Sequence, residues 1–112
     1  MNQVALYKVI QKIYSLNLKL GGIGRWDADV KRFRLRCLSE ELHEFANSET
    51  EEEELDAICD LIVFAYGTLF SMGYSINQTS QALNIIMAAN LKKQIGANTP
   101  LPLNDPSSSS SR

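Results

Sequence analysis

Several things are scarce in this sequence, and each scarcity closes a route. Cysteine occurs twice in 112 residues, at Cys37 and Cys59. Both sit in apolar surroundings with no C-x-x-C spacing, so nothing marks a disulfide-stapled domain. The amino terminus lacks the basic-then-apolar pattern of a secretion signal, and the cytoplasm is the expected compartment. Basic charge is scarce as well: 11 Lys and Arg against 13 Asp and Glu give a net charge of −2 and a pI near 5.3. Without a large basic surface, neither a nucleic acid polymer nor an anionic membrane is an expected partner. Long apolar runs are missing. The longest, Leu61 to Tyr74, is about 14 residues interrupted by Gly67, Thr68, Ser71 and Gly73, against the roughly 20 needed to cross a bilayer. Histidine occurs once, at His43. A ferritin-like di-iron centre uses two E-x-x-H motifs, and Glu40-x-x-His43 supplies one. The glycines of "LGGIGRW" follow a helical pattern and lack G-x-x-x-x-G-K-[ST], which excludes a phosphate loop there.

What is present is helical periodicity. Leu6, Val9, Ile10, Ile13, Leu16 and Leu20 recur at helix spacing, and Gly21, Gly22 and Gly24 then stop the helix. Asp27 can cap a second helix with Val30, Phe33, Cys37, Leu38, Leu42 and Phe45 on its apolar side, ending near "ANSET". A third runs from "TEEEE" to about Met72, its glutamates suiting the positive end of the helix dipole. It is apolar almost all round from Ala57 to Phe70, which predicts a central position. Ser75 can cap a fourth helix with Ile76, Leu83, Ile86, Met87 and Leu91 on one face. No alternating strand pattern of useful length occurs. The expected fold is an all-α antiparallel four-helix bundle over residues 1–95. Residues 96–112, "GANTPLPLNDPSSSSSR", read as a Pro/Ser-rich tail, either disordered or wrapping a neighbouring subunit. A core this small gains from association, so a homodimer or homotetramer is expected.

Acid falls where apolar residues belong. At about 100° per residue from Val30, Cys37 lies at about 340°, Glu41 at about 20°, Glu44 at about 320° and Arg34 at about 40°. Glu40, at about 280°, borders this stripe, whereas His43, at about 220°, is on the polar side. On the third helix Asp56, Asp60, Val63 and Gly67 form one narrow stripe, with Glu53 a turn before Asp56. A carboxylate withdrawn from water takes up a proton or finds a cation. The cation could be Arg34, Arg36 or a lysine of the first helix. It could equally be Mg²⁺, which prefers carboxylate oxygens and completes its octahedron with waters and substrate phosphates.

"EELHEF" (Glu40, Glu41, Glu44), then "DAICDLIVFAYGTLFSMG" and "AANLKK", resembles the MazG-like all-α nucleoside triphosphate pyrophosphohydrolases, a group with the dimeric dUTPases, dCTP pyrophosphatases and phosphoribosyl-ATP pyrophosphohydrolases as relatives. The resemblance spans roughly Tyr14 to Lys93. The family pattern is E-E-x-x-E, a spacer, E-x-x-D on the next helix, and an asparagine and a lysine on the last. Glu40, Glu41 and Glu44 fit the first part. "DLIVF" places Asp60 at the motif aspartate, but Ala57 stands where the family has glutamate, and Asp56 is the replacement in that register. A rival register takes Glu53 and Asp56 as E-x-x-D and leaves Asp60 unassigned. Asn90 and Lys93 match N-x-x-K.

The resemblance implies hydrolysis of a nucleoside triphosphate to the monophosphate and pyrophosphate. It implies Mg²⁺, or Mn²⁺ in its place, on Glu41, Glu44, Asp56 and Asp60. Glu40, Glu41 and Glu44 are the catalytic candidates, with Glu40 or Glu44 favoured over His43 as base. Asn90, Lys93 and Trp26 are candidates for substrate contact; Trp26 would either stack on a base or plug the end of the bundle. The alternative is a non-catalytic helical bundle that binds another protein.

Overall fold

Helix starts and stops are fixed by short side chains acting on the backbone. The computed structural model describes residues 3–97, in four helices: α1 (Gln3–Lys19), α2 (Ala28–Ala46), α3 (Glu51–Ser71) and α4 (Ile76–Ala97). No strand occurs among the described residues, and the fold is all-α. Asp27 caps α2, its carboxylate accepting from the Val30 amide at 2.8 Å. Ser75 Oγ accepts from the Gln78 amide at 3.1 Å, while Gln78 Oε1 accepts from the Ser75 amide at 2.9 Å. At α3 Thr50 and Glu53 form a reciprocal capping box that satisfies two otherwise orphaned amides. Replacing Thr50 by alanine is expected to cost about 1 kcal/mol, read as a lower denaturant midpoint with an unchanged slope. α1 stops as expected, with Gly21 at φ 72° and the Gly22 amide donating to Asn17 O at 2.9 Å.

The chain divides into two compact units, residues 1–79 and residues 80–112. The first holds α1, α2, α3 and the opening turn of α4. There α3 packs against both α1 and α2, so its central placement holds. The four residues 47–50 between α2 and α3 return the chain sharply, and the two helices run antiparallel. The core is built on Phe70, fully buried, with Ile10 and Ile13 of α1. Tyr14 meets the Phe70 ring edge-on at 5.1 Å between centroids, and Tyr66 stacks on it at 6.2 Å. The loop before α2 is pinned to the same residue, since the Gly24 amide donates to Phe70 O at 3.0 Å. Gly24 does so at φ 65°, a conformation that a side chain would strain.

Two expectations need correction. The buried line of α1 is Ile10, Ile13 and Asn17, whereas Leu6, Val9, Leu16 and Leu20 are exposed. The spacing is helical, but a polar residue completes the inner face and the leucines flank it. In the second unit Leu83, Ile86, Met87 and Leu91 of α4 are exposed, so in the single chain that stripe is not core. The helix runs to Ala97, two residues beyond the boundary read from the sequence, and the remainder of the expected tail, 98–112, lies outside the described residues.

Candidate active site

The α2–α3 hairpin brings the acids together in an antiparallel register. Glu41 is buried to nine-tenths on the inner face of α2, as the angular argument requires, and its Oε2 has no hydrogen-bond partner. Burial raises its pKa above the ordinary glutamate range. The charge of Glu44, that of Asp60, a side-chain hydrogen bond with Glu44 and the charge of Asp56 push it further the same way. Asp60, half-buried on α3, is raised by burial first and then by the charges of Asp56 and Glu44. Glu41, Glu44, Asp56 and Asp60 therefore form one electrostatic group.

Ion pairing does not account for them. Among the described residues the ion pair joins exposed Arg32 to Asp29 on the first turns of α2. Arg34 turns away from the acids; its Nη2 donates to Asn17 Oδ1 at 2.8 Å and to Ser71 Oγ at 3.0 Å. Glu53, the glutamate of the rival register, has its Oε1 engaged at the Thr50 cap. Asp56 and Asp60 are the aspartates that face Glu41.

Glu44 and Asp56, both exposed, stand on the wall of a hollow of about 320 Å³ that His43, Asn47, Ser48 and Glu53 complete. His43, read as lying on the polar side, is thus at the rim of the same hollow. Glu40 is exposed and is not among the charges that act on Glu41; it lies in a shallow surface depression with Arg36, Ser39, His43 and Glu44. Among the described residues no three His, Cys, Asp or Glu side chains stand in an arrangement that would hold one metal ion. The donor set is nevertheless the oxygen-rich kind that hard divalent cations take, and Glu41 Oε2 is an acceptor left unsatisfied. On those two grounds the residues fit such an ion.

Trp26 is 37% exposed on the loop between α1 and α2, so part of the side chain is open and part is covered. Asn90 and Lys93 are exposed on α4 in the second unit. The polar trio Asn17, Arg34 and Ser71 escaped the sequence reading as a group. Asn17 and Ser71 are 6% and 1% exposed, and Gly67 makes room for the guanidinium, since a Cβ there would lie 3.0 Å from Arg34 Nη1.

The raised carboxylates set a pH dependence of stability. At Glu41 and Asp60 the folded chain holds protons more tightly than the unfolded chain, so unfolding free energy falls as pH rises. The penalty is absent below the unfolded-state values and complete above the folded-state ones. In EDTA, the melting temperature is expected to rise on mild acidification through the carboxylate range. Glu41→Gln combined with Asp60→Asn is expected to flatten that profile.

A family model described as phosphoribosyl-ATP pyrophosphohydrolase matches residues 24–85, more than half of the chain, and the chain belongs to that family. The family lies within the MazG-like all-α pyrophosphohydrolases, hydrolases that act on acid anhydrides. The matched stretch contains Trp26 and every acid of the cluster but neither Asn90 nor Lys93. No curated protein and no solved structure matches the chain. None of the described helices is by itself long and apolar enough to cross a membrane.

Proposed function

We propose that the chain is a Mg²⁺-dependent nucleoside triphosphate pyrophosphohydrolase of the cytoplasm, cutting an NTP or dNTP to the monophosphate and pyrophosphate in nucleotide-pool housekeeping. The observation that carries this reading is Glu41, a nine-tenths-buried carboxylate with an unsatisfied oxygen, facing three further carboxylates and no cationic side chain. Burying such a group without compensation costs several kcal/mol, so the arrangement makes sense when a cation and a phosphate chain complete it.

Glu41, Glu44, Asp56 and Asp60 are the residues that would hold the ion, with Mn²⁺ as a substitute. When bound, the ion neutralises phosphate oxygens and polarises the attacked phosphorus. Glu44, at the open wall of the hollow, is the better-placed acceptor for the proton of the attacking water; Glu40 is the other candidate, and it is not among the charges that act on Glu41. Trp26 offers an exposed ring on which a base can stack. The charges acting on Glu41 are all carboxylates, which is why positive charge would enter with the substrate complex.

The test is a panel of triphosphates (dUTP, dCTP, non-standard bases and phosphoribosyl-ATP) assayed for pyrophosphate with Mg²⁺, Mn²⁺ or EDTA. Release that requires the divalent ion is expected for at least one member. In parallel, Mg²⁺ with a non-hydrolysable nucleotide should raise the melting temperature above either alone. Absence of both effects would favour the protein-binding bundle instead.

Self-association belongs to the same reading. Leu6 and Leu16 of α1, Leu20 just after it, Leu55 and Ile62 of α3, and Ile85 of α4 are each at least half exposed, apolar surface that a second copy of the chain would cover. Sedimentation is expected to show a homodimer or homotetramer, and a monomer at micromolar concentration would refute this part.

A further inference from the structure

Arg34 is a cation without an anion. It is half-buried on α2, and its Nη2 is held by neutral acceptors, Asn17 Oδ1 and Ser71 Oγ. The amide of Asn17 is oriented in turn by donating to Ile13 O at 2.8 Å, so its oxygen is turned to the guanidinium by design of the α1 backbone. Arg34 Nε is buried with no acceptor, and among the described residues no carboxylate pairs with Arg34. Three elements far apart in sequence therefore fix a guanidinium that also lies 5.9 Å from the centroid of the Phe33 ring, and among the described residues they give it neutral partners but no anion.

The space beside it is a cavity of about 260 Å³, to which Asn17, Gly22, Arg25, Phe33, Arg34 and Ser71 contribute. Two arginines, an asparagine and a serine line it together with the apolar Leu20, Val30 and Phe33, and no acidic residue does. It falls just short of the roughly 300 Å³ at which sites for drug-sized ligands begin, and so suits a phosphate with part of a sugar. Forked guanidiniums from two elements match the several acceptor oxygens of a tetrahedral dianion better than the two of a carboxylate.

We propose that this cavity, closed by Arg25, Arg34, Asn17 and Ser71, is a phosphate-binding subsite separate from the acid cluster. Arg34 and Glu41 are seven residues apart on α2, about 10 Å of helix rise, and Asp60 and Gly67 repeat the interval on α3. One nucleotide can reach both places if it carries a phosphate away from its cleaved anhydride. Free phosphate is the other source of the same chemistry. The subsite itself does not depend on the hydrolytic reading; only its assignment to a substrate does.

The full chain titrated with inorganic phosphate in EDTA at constant ionic strength tests the subsite without any turnover. Saturable binding by calorimetry is expected for the wild type and for Glu41→Gln. Arg34→Gln and Arg25→Ala should each weaken it about tenfold, the loss of a charge-assisted hydrogen bond. Arg25 is an exposed loop residue, so its variant remains informative even if Arg34→Gln folds poorly. No saturable binding to the wild type, or unchanged affinity in both variants, would overturn the proposal. With binding established, competition between phosphate and a nucleoside triphosphate assigns the subsite to the substrate. Simultaneous binding assigns it to free phosphate.

Discussion

Glu41→Gln is expected to lower the rate of pyrophosphate release by about 10²–10³-fold while making the ion-free protein more stable, a pairing that few substitutions produce. The first effect follows from removing charge where the reading needs it. Glutamine keeps the volume and length of the side chain but is a poor ligand for a hard cation, and a site stripped of one preorganised group loses rate on that scale. The second follows from burial. Glu41 is held among the charges of Glu44, Asp60 and Asp56 in a place that disfavours its ionised form. A neutral amide removes three repulsions and can donate to Glu44. Asp60→Asn should behave likewise to a lesser degree, being less buried. Glu49→Gln is the control, since that residue is exposed on the α2–α3 turn and lines neither the hollow nor the depression beside it, and it should retain most of the activity. Kinetics and thermal melts of the three variants settle the matter: full activity in Glu41→Gln, or a lower melting temperature in EDTA, would sink the assignment.

Much of this site was legible because one helix at a time sufficed to place it. The angular position of Glu41 depends only on the pitch of α2, and it is buried where the arithmetic puts it. Asp56 and Asp60 are one turn apart on α3, and a short antiparallel return brings that stripe against α2 whatever else the chain does. The caps at Asp27 and Ser75 were readable for the same reason, being interactions within a single turn. Glu44 shows where the reasoning thins. It shares the apolar stripe on the wheel yet is exposed, because it lies in the last turn of α2, next to the turn that joins the two helices.

The Asn17–Arg34–Ser71 arrangement was illegible for the opposite reason. Its hydrogen bonds join residues 17 and 37 positions apart, and each partner looked ordinary in its own window. Asn17 broke an apolar pattern, Ser71 seemed to interrupt a greasy run, and Arg34 was a natural partner for nearby acids. What selects among those readings is the packing of three helix ends, together with the space that Gly67 leaves open. The flanking leucines of α1 and the stripe of α4 failed in a related way. Periodicity says which residues share a face, not whether the face is covered by the same chain.

Phe70→Ala should unfold most of the molecule at moderate temperature. Phe70 is fully buried, and its removal takes away the ring that Tyr14 and Tyr66 pack upon. Truncations of this kind cost about 3–5 kcal/mol, against a total of about 5–15 kcal/mol for a typical domain. The buried apolar set here is small, so the lower part of that range applies and little margin remains. At roughly 4–8 °C per kcal/mol, the melting temperature should fall by tens of degrees. Leu55→Ala deletes a side chain of similar chemistry that is 64% exposed and should move stability by no more than about 0.5 kcal/mol in the single chain. The contrast separates core from surface without reference to activity. The damage should also be ordered in space. Phe70 anchors α1 and the Gly24 loop, so docking of Asn17 against Arg34 fails with it, whereas the acids hang on the α2–α3 hairpin at the other end of those helices. Below its transition, Phe70→Ala should therefore lose phosphate affinity at the arginine cavity by a larger factor than it loses Mg²⁺-induced stabilisation, and equal losses in both would show that the two ends of the hairpin are not independent.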